Sequence, residues 1–193
     1  MSLKSDLKKI KALLNFPLIF AQLKFNLSVE LSEVIAYLKP KQKISLESCV
    51  ASDSLIVLPT SYGKTVIYTL LPFYVEQPGI KIIVILPLNA ILQQKIERFG
   101  SLMCSMRTVI NGGSEHERQQ FIEGSFRYLV GHPEDFLGKA GFSLLASSCW
   151  RDDVSHVIVD EAHCVVLWGA EFRIDFSRIR ELRSLFPCAL WWV

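Results

Sequence analysis

Two short stretches hold the residue types that could do chemistry. The first runs Asp53-Ser-Leu-Ile-Val-Leu-Pro-Thr-Ser-Tyr-Gly-Lys-Thr65, an apolar run that enters a turn and then a helical pattern near Gly63. A helix N-terminus presents unpaired N–H groups and the positive end of the peptide dipole, so it favours a phosphate. Gly63 lets the backbone approach closely, Lys64 places a point charge at the outer phosphates, and the Thr65 hydroxyl can join a magnesium shell. The strict G-x-x-x-x-G-K-T pattern is not met, because Leu58 stands where its first glycine would fall.

The second stretch is Val157-Ile-Val-Asp-Glu-Ala-His163, an apolar run ending in carboxylates and a histidine. Asp160, at the end of a buried strand, can hold a cation directly or through its waters. Glu161 is placed to orient or deprotonate an attacking water. His163 can sense the nucleotide and speak to a neighbouring domain. Asp160 follows Lys64 by 96 positions, which leaves room for intervening strand–helix units. Together the two stretches indicate ATP with Mg2+, and residues 64, 160 and 161 are expected to converge on one triphosphate–magnesium pocket. A zinc site is not expected: there is no HExxH, and His116, His132 and His156 share no metal-ligand spacing with His163.

Positioning these groups requires alternating strands and helices. Short β-branched runs predict strands over 55–58, 80–86, 108–110, 126–130 and 154–160, and the terminal Cys-Ala-Leu-Trp-Trp-Val reads as one more. Helical patterns lie between them at 64–74, 89–99, 115–122, 136–146 and 177–186. Ile80-Lys-Ile-Ile-Val-Ile-Leu86 and Val154-Ser-His-Val-Ile-Val-Asp160 are nearly continuous in apolar residues, the pattern of parallel strands covered on both faces. The expected fold is α/β, an open, mostly parallel sheet with helices on both faces, whose strand-to-helix loops share one ligand-binding edge. Residues 1–48 read as helical and distinct.

A chain of 193 residues suits one α/β domain and buries about 70% of its unfolded surface without staples. Apolar residues at 50% and charged residues at 21% exclude a disordered protein. The net charge of +2 does not by itself identify a nucleic-acid partner. Eight lysines within residues 1–45 face only Asp6, Glu30 and Glu33, a bias that fits a solvated helix face better than a polyanion contact. Five cysteines (Cys49, Cys104, Cys149, Cys164, Cys188) form no CxxC, which argues for reduced thiols in an intracellular compartment, nucleus or cytoplasm. Asn15, Pro17 and Gln22 interrupt the apolar run of residues 8–23, and no segment approaches the ~20 apolar residues of a membrane span. The expectation is a protein neither secreted nor membrane-bound.

With these residues in hand, the chain resembles the RecQ family of superfamily 2 DNA helicases. Leu38-Lys-Pro-Lys-Gln42 is similar to its motif 0, which implies that the Gln42 carboxamide, donor and acceptor together, reads the N6 and N7 edge of adenine. Leu58-Pro-Thr-Ser-Tyr-Gly-Lys-Thr65 resembles motif I, Ile83-Val-Ile-Leu-Pro-Leu88 motif Ia, and Val159-Asp-Glu-Ala-His-Cys164 motif II. Trp168-Gly-Ala-Glu-Phe-Arg-Ile-Asp175 looks like the family's aromatic-rich loop, in which Trp168 and Phe172 would stack on unpaired bases while Arg173 pairs with phosphate or acidic groups.

The resemblance implies a RecA-like P-loop domain over 38–193 after an N-terminal helical extension, 1–37. It implies ATP and Mg2+ as cofactors, with Gln42, Thr60, Ser61, Tyr62, Gly63, Lys64 and Thr65 at the nucleotide and Thr65 and Asp160 at the metal. Catalytic roles fall to Lys64, Asp160, Glu161 and His163. DNA, single-stranded or partial duplex, and a second helicase lobe are the implied partners. Departures from the family pattern are Lys39 for the usual arginine, Ser61-Tyr62 for glycines, and Ala170 and Ile174 in the aromatic loop. Motif III would follow the last strand, but the chain finishes at Val193, so alone it is not expected to unwind a duplex. The reading is the ATP-binding lobe of a 3′–5′ DNA helicase. The alternative is a non-catalytic module that binds nucleotide or single-stranded DNA.

Overall fold

The computed structural model describes residues 35–59, 62–75, 79–87, 92, 96–97, 103–163 and 178–193. The chain forms two compact units, Met1–Pro78 and Gly79–Val193.

In the first unit, α1 (Pro40–Ala51) opens on a proline, whose fixed φ suits a first helical turn. Its buried residues Gln42, Ser45, Leu46 and Cys49 recur at helical spacing, and α1 packs against α2 (Lys64–Tyr74). The seven residues Ile67 to Phe73 of α2 are all buried, so this helix is enclosed on every side rather than amphipathic. The strand expected over 55–58 does not form. An isolated bridge at Ser54 precedes an extended stretch without a ladder, in which Leu55 and Val57 are 76% and 81% exposed. Apolar, β-branched composition sets an extended backbone, but a strand exists only where a neighbour pairs with it.

In the second unit, β1 (Lys81–Ile85), β2 (Met103–Ser105), β3 (Tyr128–Gly131), β4 (Val154–Val159) and β5 (Leu190–Trp192) form one sheet in the order β2-β3-β1-β4-β5. Every pairing is parallel, as the continuous apolar runs lead one to expect. Ile83, Ile85, Leu129, Val157 and Trp191 enter one core with Phe121, Phe136, Leu145, Trp150 and Leu182. The alternate positions Ile82, Val84, Tyr128, Val130 and Ile158 are just as deeply buried, so both faces of the sheet are covered. The α/β class with a parallel sheet is therefore the observed one. Because the strands run parallel, Leu86, His132 and Asp160 all leave the sheet at the same edge.

Four helices of this unit are described: α3 (Met106–Ile110), α4 (Glu115–Glu123), α5 (Pro133–Leu137) and α6 (Lys139–Ser147). Three expectations are corrected here. Residues 108–110 are helical, not a strand, because the Ser105 side chain accepts from the Thr108 N–H and starts α3, with β2 ending just before it. The single helix expected over 136–146 is two, broken at Gly138, whose φ and ψ of −61° and 150° are extended. The helix expected over 177–186 is a 3₁₀ segment, Ile179–Ser184, among the described residues. Most of 89–99 and residues 1–34 lie outside the described residues. Among those described, no helix is long and apolar enough to cross a membrane.

The cysteines divide by environment. Cys49 and Cys104 are buried, and burial pushes both thiols up to about 12, with the Glu117 charge adding to the effect at Cys104. Cys149 and Cys188 are exposed. The thiolate is the nucleophile, so brief alkylation with iodoacetamide at neutral pH should modify Cys149 and Cys188 and spare Cys49 and Cys104 until denaturant is added. Peptide mass spectrometry reads the outcome, and early labelling of either buried thiol would contradict the packing described.

Candidate nucleotide site

The phosphate-loop candidate lies in the first unit. Gly63 is the N-cap of α2 and has φ +93° and ψ +41°, a left-handed conformation that glycine adopts without strain. A Cβ at this position would lie 2.7 Å from Gln42 Nε2. Gln42, only 5% exposed, grips this loop. Its Nε2 donates to the carbonyls of Tyr62 at 3.0 Å and Gly63 at 3.3 Å, while its Oε1 accepts from the Lys39 N–H at 2.9 Å. Both amide hydrogens and one of the two oxygen lone pairs are thereby used. The residue that the sequence offers as a base reader is thus seated on the main chain of the candidate phosphate loop.

Two departures from the family pattern meet at the same place. The Lys39 ammonium lies 4.7 Å from the centroid of the Tyr62 ring, within cation–π range. Lys64 and Thr65 are the first residues of α2 and are partly buried. The Tyr68 hydroxyl donates to Thr65 Oγ1 at 3.4 Å, and Thr69 Oγ1 donates to the Thr65 carbonyl at 2.6 Å. Thr60 and Ser61 lie outside the described residues.

The acidic candidate lies in the second unit, where β4 delivers Asp160 to the sheet edge. The Asp160 N–H donates to the Ile85 carbonyl at 3.0 Å, so β1 pins the residue's backbone, and Asp160 is 9% exposed. Glu161 follows with φ +56°, among the described residues the one non-glycine with positive φ. Its Oε2 lies 3.2 Å from His163 Nδ1, which brings two of the expected residues together. Trp168, Phe172 and Arg173 lie outside the described residues.

A third group on this edge passes unnoticed in the sequence. His132 follows β3 and caps α5, is 1% exposed, and its Nδ1 lies 2.7 Å from the Leu86 carbonyl. Its N–H donates to Asp135 Oδ2 at 2.9 Å, and Arg107 Nε donates to Asp135 Oδ1 at 3.0 Å. Arg107 Nη2 also stands 3.8 Å from Glu134 Oε1. The network holds the exits of β1 and β3 and the start of α5 together. The available signal was Gly131-His-Pro-Glu-Asp135, a strand end followed by proline and acids suited to a helix's first turn.

In the first unit, the close approach at Gly63 is a cradle that a Cβ would fill, and Lys64 and Thr65 stand at a helix N-terminus, a chemistry that suits phosphate. In the second unit, Asp160 is a nearly buried carboxylate at a strand end, a donor type that suits magnesium. Among the described residues no three His, Cys, Asp or Glu side chains cluster to hold a metal ion. A magnesium ion held by one or two carboxylates and the substrate's phosphates needs no such cluster.

The family model described as DEAD/DEAH box helicase matches residues 39–189. The chain is 27% identical over 158 residues to the ATP-dependent DNA helicase RecQ of Pasteurella multocida, covering 80% of this chain and 24% of that protein. It is 31% identical over 147 residues to the ATP-dependent DNA helicase Q5 of Mus musculus, covering 72% of this chain and 15% of that one. The chain thus spans a quarter or less of the length of these relatives. In fold, it is similar to the UvsW helicase of bacteriophage T4, with a TM-score of 0.53 at 17% identity, covering 97% of this chain and 68% of that one.

The left-handed glycine makes a direct prediction. Gly63→Ala brings both an unfavourable φ and a Cβ pressed on the Gln42 amide, and it should cost about 1–3 kcal/mol of stability. Urea denaturation of the full chain measures it, and a variant as stable as the parent would show that the loop does not need this geometry.

Proposed function

Because this chain belongs to the DEAD/DEAH box helicase family, with RecQ helicases among its relatives, we propose that it is the ATP-binding first lobe of a RecQ-like 3′–5′ DNA helicase. The observation that carries the reading is the left-handed Gly63 at the head of α2, with the Gln42 carboxamide clipped across its carbonyl. The lobe is taken to begin near Leu38, after an extension over 1–37. The absence of any CxxC among the five cysteines supports a reducing compartment, nucleus or cytoplasm.

When bound, the magnesium nucleotide supplies a phosphoanhydride bond whose cleavage drives the motor. The chain's own residues then divide the work. The Lys64 ammonium neutralises charge on the outer phosphates, and the amides of the first turn of α2 orient them. The Thr65 hydroxyl and the Asp160 carboxylate take the metal. The Glu161 carboxylate orients the attacking water and accepts its proton. His163, 3.2 Å from Glu161, positions that carboxylate. Trp168 and Phe172 stack on unpaired bases and Arg173 meets phosphate, which couples DNA engagement to hydrolysis.

A second lobe completes the device by closing on the nucleotide and supplying an arginine, a contribution worth about 10³–10⁵ in rate. Supplying that lobe in trans should therefore raise DNA-stimulated phosphate release well above that of the chain alone. Lys64→Ala should abolish Mg-ATP binding in calorimetry. Glu161→Gln should keep binding and lower phosphate release by about 10²–10⁴. Hydrolysis indifferent to Glu161→Gln would refute the enzyme reading, while nucleotide binding with no stimulated hydrolysis would favour a non-catalytic binding module.

A further inference from the structure

Lys39, Gln42 and Tyr62 form a closed set of contacts. The Gln42 carboxamide is the hub: it accepts from the Lys39 N–H and donates to the Tyr62 carbonyl, which holds the two backbones in register. With the backbones so held, the Lys39 ammonium rests 4.7 Å from the Tyr62 ring centroid. A phenol ring, a cation and a buried amide thus converge at the entrance to the phosphate loop. We propose that Tyr62 is a specificity-determining residue for the nucleotide, its ring being the surface on which a purine base stacks once the base displaces the Lys39 ammonium. This rests on reading residues 58–65 as a phosphate loop.

Counting hydrogen bonds gives the coupling. Both hydrogens of the Gln42 amide are spent on loop carbonyls, so a base that offers a ring nitrogen as acceptor must displace one of them. Release of the Tyr62 carbonyl loosens the same residue whose ring is to receive the base. The exchange trades one Gln42–carbonyl hydrogen bond for one to the base and an exposed cation–π contact for a stacked base, and the stacking gain is what must offset the released carbonyl. Recognition of the base edge by the amide and of the base face by the ring then arrive in one step. Triphosphate without a base has no use for either.

The experiment compares Mg-ATP with Mg-tripolyphosphate on the full chain by calorimetry. Tyr62→Ala is expected to weaken Mg-ATP by about tenfold and leave tripolyphosphate within about twofold. Tyr62→Phe, which keeps the ring, should bind Mg-ATP like the parent, and Lys39→Ala, which removes the competing cation, should bind it at least as well. The inference is overturned if Tyr62→Ala weakens both ligands equally, which would make the ring a prop for the loop, or if it tightens Mg-ATP, which would make the ring a barrier. A parent chain that binds tripolyphosphate while Tyr62→Ala leaves Mg-ATP unaffected overturns this inference alone. A parent that binds neither ligand overturns the phosphate-loop reading, and this one with it.

Discussion

The constraint on which the second unit depends is parallel pairing around a central strand buried on both faces. β1 takes β3 on one side and β4 on the other, and each neighbour is fastened to it again where the strands end. The Ile85 carbonyl accepts from the Asp160 N–H, and the Leu86 carbonyl stands 2.7 Å from the His132 ring. The Leu86 N–H in turn donates to the Gly131 carbonyl at 2.9 Å. The carbonyl that ends β1 and the one just after it thus fix where its neighbours turn away. In a parallel sheet those exits share one edge, so the polar residues that follow the apolar runs are gathered there by topology rather than by attraction.

The first unit solves a similar problem with one side chain. The turn that leads into α2 cannot satisfy all its carbonyls within a helix or a ladder. Gln42 takes up two of them from twenty and twenty-one positions away. Leaving a buried carbonyl without a donor costs about 1–3 kcal/mol, and an amide buried to this depth must itself be satisfied. Loop and glutamine therefore need each other, which ties the residue nearest the base in the proposed scheme to the residues nearest the phosphates.

Legibility in the sequence followed the range of the forces involved. α2 was readable to the residue, since glycine, lysine and threonine open it and an unbroken apolar run continues it. β1 and β4 were readable because burial on both faces leaves a continuous hydrophobic run. Residues 108–110 misled because three β-branched residues in a row favour an extended backbone locally, while the Ser105 hydroxyl caps α3 and starts a helix there. Residues 55–58 misled because an extended backbone is local, while the partner that makes it a strand is not. Of the site, the motifs at Gly63 and Asp160 were legible as types and spacings. Neither the Gln42 clamp nor the His132–Asp135–Arg107 network was, for each joins segments far apart in the chain.

Glu161 shows how the backbone can serve two adjacent carboxylates. In a continuing strand, successive side chains project to opposite faces, so Asp160 and Glu161 would part company if β4 ran on through both. The strand stops at Val159 and residue 161 adopts φ +56°. A left-handed conformation costs a non-glycine residue about 1–2 kcal/mol, and glycine would occupy it more cheaply. The side chain kept at this cost is a carboxylate within 3.2 Å of His163. Under the proposed roles, one carboxylate takes the metal and the other the water's proton, and both must act on the same nucleotide. Ending the strand before residue 160 releases these two neighbours from the period of two that would set them on opposite faces of a sheet.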